Sequence, residues 1–273
     1  MPVTLILKEP PPVPLEAEML TPDVMAGLSV DEIRALPVNL GKHRRRLDHF
    51  FTVEGERSDD IEVHGDATRV KWIGRGMTRG RIVIRGHAGM HLGSAMKGGV
   101  IEVFGNVSDW LGAEMTGGSI RVHGNAGGQV GAAYRGSLTG MKNGTIVVDG
   151  SAGLEVGMRM KRGIIAVAGR VRDFAGLQMK GGTIVLGTGA ELRTGAWMVR
   201  GTIISLTPLD LLPTFAYSCT YNPTFLPLVA KFLAAWWDRS IPFDAREGGY
   251  QRYTGDTCVP GKGEILVWKP AAS

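Results

Sequence analysis

The sequence predicts an all-β protein, a right-handed parallel β-helix of about seven 19-residue coils with small α/β caps at both ends. Three observations predict this fold class. Glycine accounts for 40 of the 273 residues, about twice its ordinary share of roughly 7%. A unit of 19 residues recurs seven times, with glycine, methionine and isoleucine at constant places. Within each unit, Gly-x-Ile-x-Val-x-Gly alternates apolar and polar residues with a period of two, which is the pattern of a strand with one buried face.

The repeat is regular enough to define columns of equivalent residues. Successive units are 19 residues apart, except for one step of 26 that places a seven-residue insertion within 134–140. The methionine column comprises Met77, Met96, Met115, Met141, Met160, Met179 and Met198. The isoleucine column comprises Ile82, Ile101, Ile120, Ile146, Ile165, Ile184 and Ile203. Such a period is typical of solenoids, in which parallel pairing of successive coils places like residues over like residues.

The chemistry of the columns favours a coil over the alternatives. Glycine at the corners lets the chain turn without a Cβ striking the coil above, and methionine fills irregular interior space. Glycine in every window argues against an amphipathic helix, at roughly 1 kcal/mol each. A hexapeptide-repeat coil would need a multiple of six residues, and a calcium-binding nonapeptide helix would need an Asp in each turn. The repeat has neither feature.

Both ends of the repeat are predicted to carry caps, because an open stack would expose unpaired strand edges and an apolar cross-section. We therefore divide the chain into three parts. They are an N-terminal arm and cap (1–60), a parallel β-helix repeat domain (61–206) and a C-terminal helix and strand cap (207–273).

Each cap has its own predicted elements. In the N-terminal cap, residues 29–32 read as a capping box that opens a short helix ending before Pro37. Strands are expected at Phe50 to Val53 and Ile61 to Val63, leading onto the first coil.

The C-terminal cap is predicted to contain a helix from Pro223 to Asp238 and a closing strand from Gly263 to Trp268. The helix is apolar nearly all round, so we expect it to be buried or bound. The middle outward positions of the later strands are also apolar, at Val147, Ala166, Val185 and Ile204. An apolar stripe of this kind needs a cover, either the C-terminal segment or another protein chain, and we expect the helix to supply part of it.

Positive charge is concentrated in the repeat. Residues 1–60 carry a net charge of −4, residues 61–206 a net charge of +9 and residues 207–273 none. Beside the methionine column lies a basic edge formed by Lys97, Lys142, Lys161 and Lys180, with Arg79, Arg162 and Arg200 one position on. This edge is either a solvated, solubilising surface or a contact for an acidic partner or polyanionic ligand. Nucleic acid is disfavoured, since no aromatic residues are interleaved to stack on bases.

The sequence contains no catalytic or metal-binding constellation. His87 and His91 are four residues apart but lie in a glycine-rich turn with no acidic third ligand, and His64 and His123 are expected to be surface positions. No Ser or Cys has the context of a nucleophile, and no carboxylates are paired. We therefore expect no catalytic residue, no bound cofactor and no metal on this chain.

Two further features bear on location. Cys219 and Cys258 are too few for a disulfide scaffold or a four-thiolate zinc site. The N-terminus has no signal pattern, and no apolar run approaches the roughly 20 residues of a membrane span. We expect a soluble cytoplasmic protein.

The motifs resemble one family over most of the chain. The repeated Gly-x-x-Gly-x-x-x-Gly with Met-Lys-x-Gly-x-Ile-x-Val-x-Gly is similar to the C-subunit family of formylmethanofuran dehydrogenases, as are residues 47–55, 253–256 and 261–266. That family shares its β-helix with the C-terminal domain of glutamate synthase. Because the chain begins with Met1 and its own cap, we expect a separate protein instead of the end of a longer polypeptide.

The resemblance implies a function within a complex. One branch of the family belongs to tungsten or molybdenum formylmethanofuran dehydrogenases. The other belongs to a formyltransferase/hydrolase complex that converts formyl-tetrahydromethanopterin through formylmethanofuran to formate, and we favour this branch. The implied partners are three other subunits, of which one is hydrolase-like (A), one is the formyltransferase (D) and the third is B.

The resemblance also implies how the work is divided. Methanofuran, tetrahydromethanopterin and metal ions would be used in other subunits of the complex. The C-subunit would be a non-catalytic scaffold, and the basic edge would offer a docking strip for the glutamate-rich tail of the carrier.

Two other classes remain open. A free-standing β-helix enzyme would need a cleft with convergent carboxylates or a histidine. A polyanion-binding module would show steeply salt-dependent binding.

Overall fold

The chain is mostly β in the computed structural model, which describes residues 1–237, 240–244 and 246–271. The N-terminal strands are β1 (Val3–Leu7), β2 (Leu15–Glu16), β3 (Pro37–Leu40), β4 (His43–Arg46) and β5 (Phe51–Glu54). The repeat contributes β6 (Asp60–His64), β7 (Val70–Lys71), β8 (Arg81–Arg85), β9 (Val100–Val103), β10 (Ser119–Val122), β11 (Thr145–Val148), β12 (Ile164–Val167), β13 (Lys180–Leu186) and β14 (Arg200–Ser205). The C-terminal strands are β15 (Ala216–Tyr221), β16 (Gly248–Gly255) and β17 (Gly263–Pro270). The helices are α1 (Pro22–Met25), α2 (Val30–Arg34) and α3 (Leu226–Leu233), and a 3₁₀ turn covers Leu47–His49.

Successive repeats pair in parallel and in register. A 13-stranded sheet has the order β15-β16-β17-β14-β13-β12-β11-β10-β9-β8-β6-β1-β5. Ile120 of β10 lies beside Ile101 of β9 and Ile146 of β11, so the isoleucine column is a physical column. A second line of parallel bridges joins the repeats at Ala67, Ala88, Val107, Ala126, Ala152, Val171 and Ala190. The predicted mostly-β architecture is confirmed, whereas the right-handed winding of the coils stays a prediction.

The interior of the stack is built from the predicted columns. All seven methionines and all seven isoleucines of the two columns are fully shielded from solvent. The corner glycines lie close against these side chains. A Cβ on Gly112 would lie 2.5 Å from Cδ1 of Ile146, and the residue has a φ of +58°. At this corner, glycine is required both by the space and by the left-handed backbone.

The N-terminal segment closes one end of the stack. Strand β1 pairs in parallel with β6 and antiparallel with β5, while β4, β3, β2 and β7 form a separate four-stranded sheet. The predicted capping box is confirmed: the backbone N–H of Ser29 donates to the Glu32 carboxylate at 2.7 Å, and the Ser29 hydroxyl accepts from the backbone N–H of Glu32 at 3.4 Å. The short helix α2 follows it and ends before Pro37, as predicted.

The C-terminal segment closes the other end and covers one face. Strand β17 pairs in parallel with β14, and β16 and β15 follow antiparallel. The predicted cover is confirmed, because Leu226, Leu233 and Trp237 pack with the outward apolar residues of β11 to β14.

The predicted C-terminal helix was too long. Helix α3 covers only Leu226–Leu233; Pro227 occupies its first turn, where proline is favoured. After Leu233 the chain forms a turn that carries Trp237 into the same apolar cluster. Asp238 and residues 239, 245, 272 and 273 of the predicted C-terminal cap lie outside the described residues. Within this chain α3 is buried on one side only: Leu226 and Leu233 are shielded from solvent, whereas Leu228 is 71% exposed. That the exposed side of α3 is bound by another chain stays a prediction.

None of the helices in the described part of the chain has the length and apolar character needed to span a lipid bilayer. Both cysteines, Cys219 and Cys258, are unpaired and exposed.

Candidate functional site

All seven residues of the predicted basic edge are solvent-exposed. Lys142, Lys161 and Lys180 occupy the same place on three successive repeats, and each donates its backbone N–H to the methionine carbonyl of the preceding repeat at 2.7 to 2.8 Å. The lysine line is interrupted by Thr116, which occupies the place between Lys97 and Lys142. The edge therefore has a continuous part, formed by the later repeats, and a separate Lys97.

Positive charge continues beyond the last lysine of this line. Lys180 pairs in register with Arg200 across β13 and β14, and Arg162 lies one position after Lys161. Arg79 lies at the other end of the stack, beyond Lys97. The later repeats thus bring five residues of the predicted edge together and leave Lys97 and Arg79 apart from them. The five are Lys142, Lys161, Arg162, Lys180 and Arg200.

A groove adjoins the continuous part of the basic edge. We name it the insertion groove, and it encloses about 420 Å³. One wall is the seven-residue insertion, the floor is formed by the last repeats, and the other wall is the loop before β17. Its lining residues are Leu138, Arg159, Gln178, Lys180, Trp197, Val199 and Val259.

The insertion is tied to the repeats by side chains that line the groove. The Lys180 ammonium donates to the backbone carbonyl of Leu138 at 2.7 Å. The Arg159 guanidinium donates to the carbonyl of Ser137 and, at 2.7 Å, to the side-chain oxygen of Gln178. The sequence left two interpretations of the insertion, an interface loop or a neutral bulge, and these bonds show a loop held in a defined place.

A group of stacked rings anchors the start of the insertion. Trp72 and His91 stack with ring centroids 4.0 Å apart, and Tyr134 stacks on Trp110 at 4.8 Å. The Tyr134 hydroxyl lies 2.9 Å from Nδ1 of His91. Burial, followed by the positive charges of Lys71 and Arg75, lowers the pKa of His91 from 6.5 to about 4.

Sequence reasoning missed this aromatic group, although a signal was present. Trp72, His91 and Trp110 are spaced by 19 residues and share one column, two positions before a corner glycine. Tyr134 has no counterpart in that column, because it belongs to the insertion. Only the fold shows that it meets the other three rings.

His64 and His123 are partly exposed at the surface, as expected, but His123 belongs to an ionic group. Its ring lies 3.1 Å from Glu102 and 3.0 Å from Asp149. Burial raises the pKa of Glu102, but hydrogen bonds with His123 and Arg81 outweigh it and leave the pKa lowered. Across residues 1–237, 240–244 and 246–271, no group of three or more His, Cys, Asp or Glu side chains is arranged to hold a metal ion.

A second basic surface was also missed. Strand β4 contains three successive arginines, Arg44, Arg45 and Arg46, and all of its side chains are exposed. It forms one edge of the four-stranded sheet, where charged residues discourage pairing with other strands. Arg46 is paired with Asp48 at 2.6 Å.

Comparisons with known proteins find curated sequence relatives and a solved structure. No protein-family model matches the sequence. The C-subunit of molybdenum-containing formylmethanofuran dehydrogenase 1 from Methanothermobacter marburgensis is 45% identical over 83 residues, which are 30% of this chain and 21% of that protein. The C-subunit of tungsten-containing formylmethanofuran dehydrogenase 2 from Methanothermobacter wolfeii is 42% identical over 97 residues, or 34% of this chain and 36% of that protein. The chain thus spans about a fifth to a third of the length of these curated relatives.

A solved structure matches over almost the whole length. It is a chain of the crystal structure of the formyltransferase/hydrolase complex from Methylorubrum extorquens in complex with methylofuran. The TM-score is 0.87 and the sequence identity 32%, and the alignment covers 98% of this chain and 100% of that one.

Proposed function

Because the chain belongs to the C-subunit family of formylmethanofuran dehydrogenases, we propose that it is the C-subunit of a formyltransferase/hydrolase complex. In this role it is a non-catalytic scaffold for the subunits that transfer a formyl group from tetrahydromethanopterin to methanofuran and hydrolyse it to formate. Its partners are the hydrolase-like, formyltransferase and third subunits of that complex, in the cytoplasm.

One observation carries this proposal. The match to a chain of the formyltransferase/hydrolase complex extends over 98% of this chain at 32% identity, whereas the dehydrogenase relatives match over about a third of it. A likeness that includes both caps favours the same kind of assembly. The alternative, the C-subunit of a molybdenum or tungsten dehydrogenase, rests on the higher identity within the repeats.

The scaffold role is supported by the chemistry of the surface. The described residues contain exposed basic and apolar areas, and His64 and His123 pair with the carboxylates of Glu62, Glu102 and Asp149. Methanofuran, tetrahydromethanopterin and the metal ions would be used on other subunits. A free-standing enzyme or polyanion-binding module has no comparable support.

We infer that the repeats wind as a right-handed parallel β-helix between two caps, with boundaries near residues 60 and 206. Two lines of parallel pairing per repeat, both in register, support this winding. Right-handed connection is also the rule for parallel strands of one sheet.

Isolation of the tagged full chain from its native cells tests the function. We expect it to copurify with a formyltransferase and a hydrolase-like protein and to lack formyl transfer and hydrolysis when separated from them. Molybdenum or tungsten together with a dehydrogenase in the preparation would support the alternative. Purification of the chain without companions, or turnover by the chain alone, would refute the scaffold proposal.

The basic edge is proposed as a docking strip for an acidic partner or for the glutamate-rich tail of the carrier. Exchange of Lys97, Lys142, Lys161 and Lys180 for Glu should weaken assembly or the use of the carrier, since like charges at an interface oppose binding. The matched control exchanges the exposed Arg170 and Arg172, on another face, for Glu. Unchanged assembly and carrier use in the edge variant would show that the edge is merely solvated.

A further inference from the structure

We propose that the insertion groove binds an extended acidic segment of a partner protein in the complex, anchored by one apolar side chain. The proposal rests on the scaffold function and specifies which kind of partner segment binds at one site of the scaffold. It is carried by the way the groove is built, by its exposed apolar lining and by its positive charge.

The two walls of the groove are formed by parts of the chain that depart from the repeat. Leu138 comes from the seven-residue insertion in the 19-residue period, and Val259 comes from the loop between β16 and β17. Both walls are held in place. The Lys180 ammonium fixes the insertion at Leu138, and Lys262 donates its backbone N–H to the Val199 carbonyl at 2.7 Å on the opposite side. A neutral bulge would not need such support, whereas a binding groove needs fixed walls.

The lining exposes large apolar side chains to solvent. Leu138 is 73% exposed, Trp197 49% and Val199 37%. Trp197 is held in position because its backbone N–H donates to the Asp256 carboxylate at 2.8 Å. Clusters of exposed apolar residues mark interaction sites, and tryptophan is enriched among the residues that dominate binding energy. A volume of about 420 Å³ accommodates a large apolar side chain with its flanking backbone.

The charge of the groove lining is positive and comes from Arg159 and Lys180. Arg159 and Lys180 donate to carbonyl and amide oxygens, which do not neutralise them. In the part of the chain that the structure describes, no acidic side chain lines the groove. Lys161 and Arg200 of the basic edge extend the positive surface beyond it.

These features together select the occupant. A small hydrophilic anion would satisfy the cations but leave Trp197 and Leu138 in contact with water. An apolar ligand would leave Arg159 and Lys180 without a counterion. A polypeptide segment with carboxylates on both sides of an apolar residue satisfies both requirements, and it can follow the basic edge beyond the groove.

A site-specific photocrosslink tests the proposal in the intact complex. The full chain with p-benzoylphenylalanine at position 138 is produced in its native cells, irradiated and isolated, and the crosslinked peptide is identified by mass spectrometry. Leu138 is highly exposed, so the substitution should not disturb folding. We expect a single peptide, from a copurifying protein, that contains an apolar residue flanked by Asp or Glu. The matched control carries the crosslinker at Leu228, which is similarly exposed on α3 and should not yield this peptide.

A charge variant adds a second measurement. Lys180→Glu should reduce the yield of the position-138 adduct at least several-fold, and Lys180→Arg should restore most of it. Lys231→Glu, on α3, should leave the yield unchanged. An adduct to a second copy of this chain, to a small molecule or to a peptide without acidic residues would overturn the proposal. Companions that copurify but give no adduct would refute the proposal for the groove alone. A chain that purifies without companions would refute the scaffold function itself.

Discussion

Acidification from pH 7 to pH 4 should destabilise the folded chain through His91. This ring stacks on Trp72 and lies 2.9 Å from the Tyr134 hydroxyl, and burial is the main cause of its lowered pKa of about 4. In the unfolded chain a histidine titrates near 6.5. Between these two values the unfolded state binds more protons than the folded state, so the free energy of unfolding falls as the pH falls through this window.

The size of the effect follows from the two pKa values. At 1.36 kcal/mol for each pKa unit, the difference between 6.5 and about 4 corresponds to roughly 3.4 kcal/mol. The ring is only partly buried, so solvent screens part of this contribution. We therefore expect a little less than half of it, roughly 1.5 kcal/mol.

Urea unfolding at pH 7 and pH 4 of the unchanged chain and of His91→Phe measures this contribution. Phenylalanine keeps a ring against Trp72 but does not titrate. Carboxylates whose pKa values are lowered in the folded state, such as Glu62 and Asp66, also cost stability at low pH, but they contribute to both proteins and cancel in the difference. The unchanged chain should lose about 1.5 kcal/mol more than the variant over this range. An equal loss in both proteins would refute the account of His91.

Three further pairs of substitutions test the packing by urea unfolding. Gly112→Ala should lower the free energy of unfolding by about 2–4 kcal/mol, because it combines a left-handed backbone with a clash in the core. Gly76→Ala has the left-handed backbone alone, with a φ of +65° and nothing within 4 Å of the new Cβ, and should lower it by about 1–2 kcal/mol. Equal losses for the two variants would contradict the claim that Gly112 is required by space. Met115→Ala should lower the free energy of unfolding by about 2–5 kcal/mol, and Met115→Leu by less than about 1.5 kcal/mol. Unchanged stability in Met115→Ala would mean that the methionine column is not packed. Leu233 covers the apolar stripe and is 1% exposed, so Leu233→Ala should lower the free energy of unfolding by about 2–5 kcal/mol. Leu228→Ala on the same helix should change it by about 0.5 kcal/mol or less. Similar values for the two variants would refute the orientation of α3 against the sheet.

The repeat could be read from the sequence because the same physical requirement recurs in every unit. Met115 and Ile120 must fill the interior, and Gly112 must avoid it, so each column keeps one residue type. The capping box at Ser29 was equally readable, since both of its hydrogen bonds join residues three apart. The end of α3 could not be read from the sequence, because the turn after Leu233 depends on where Trp237 packs.

The candidate site was predicted only in part. The basic edge was visible because Lys142, Lys161 and Lys180 follow the period of the repeat. The insertion groove could not be predicted, because its walls and floor come from an insertion, a loop and the last repeats, which have no shared pattern. The same holds for Tyr134, whose contact with His91 joins residues 43 positions apart.

The sequence by itself determined the strands of the repeat, their register and the core columns, since these depend on spacing within one unit and on its repetition. It did not predict the cap strands β1 to β4, β15 and β16, which have no period. Only the tertiary structure decided where the departures from the repeat meet. The insertion, the helix α3 and the loop before β17 occur once each, so their contacts depend on long-range packing that no local period encodes. These single features form the groove and the apolar cover, and they distinguish the faces of an otherwise uniform stack.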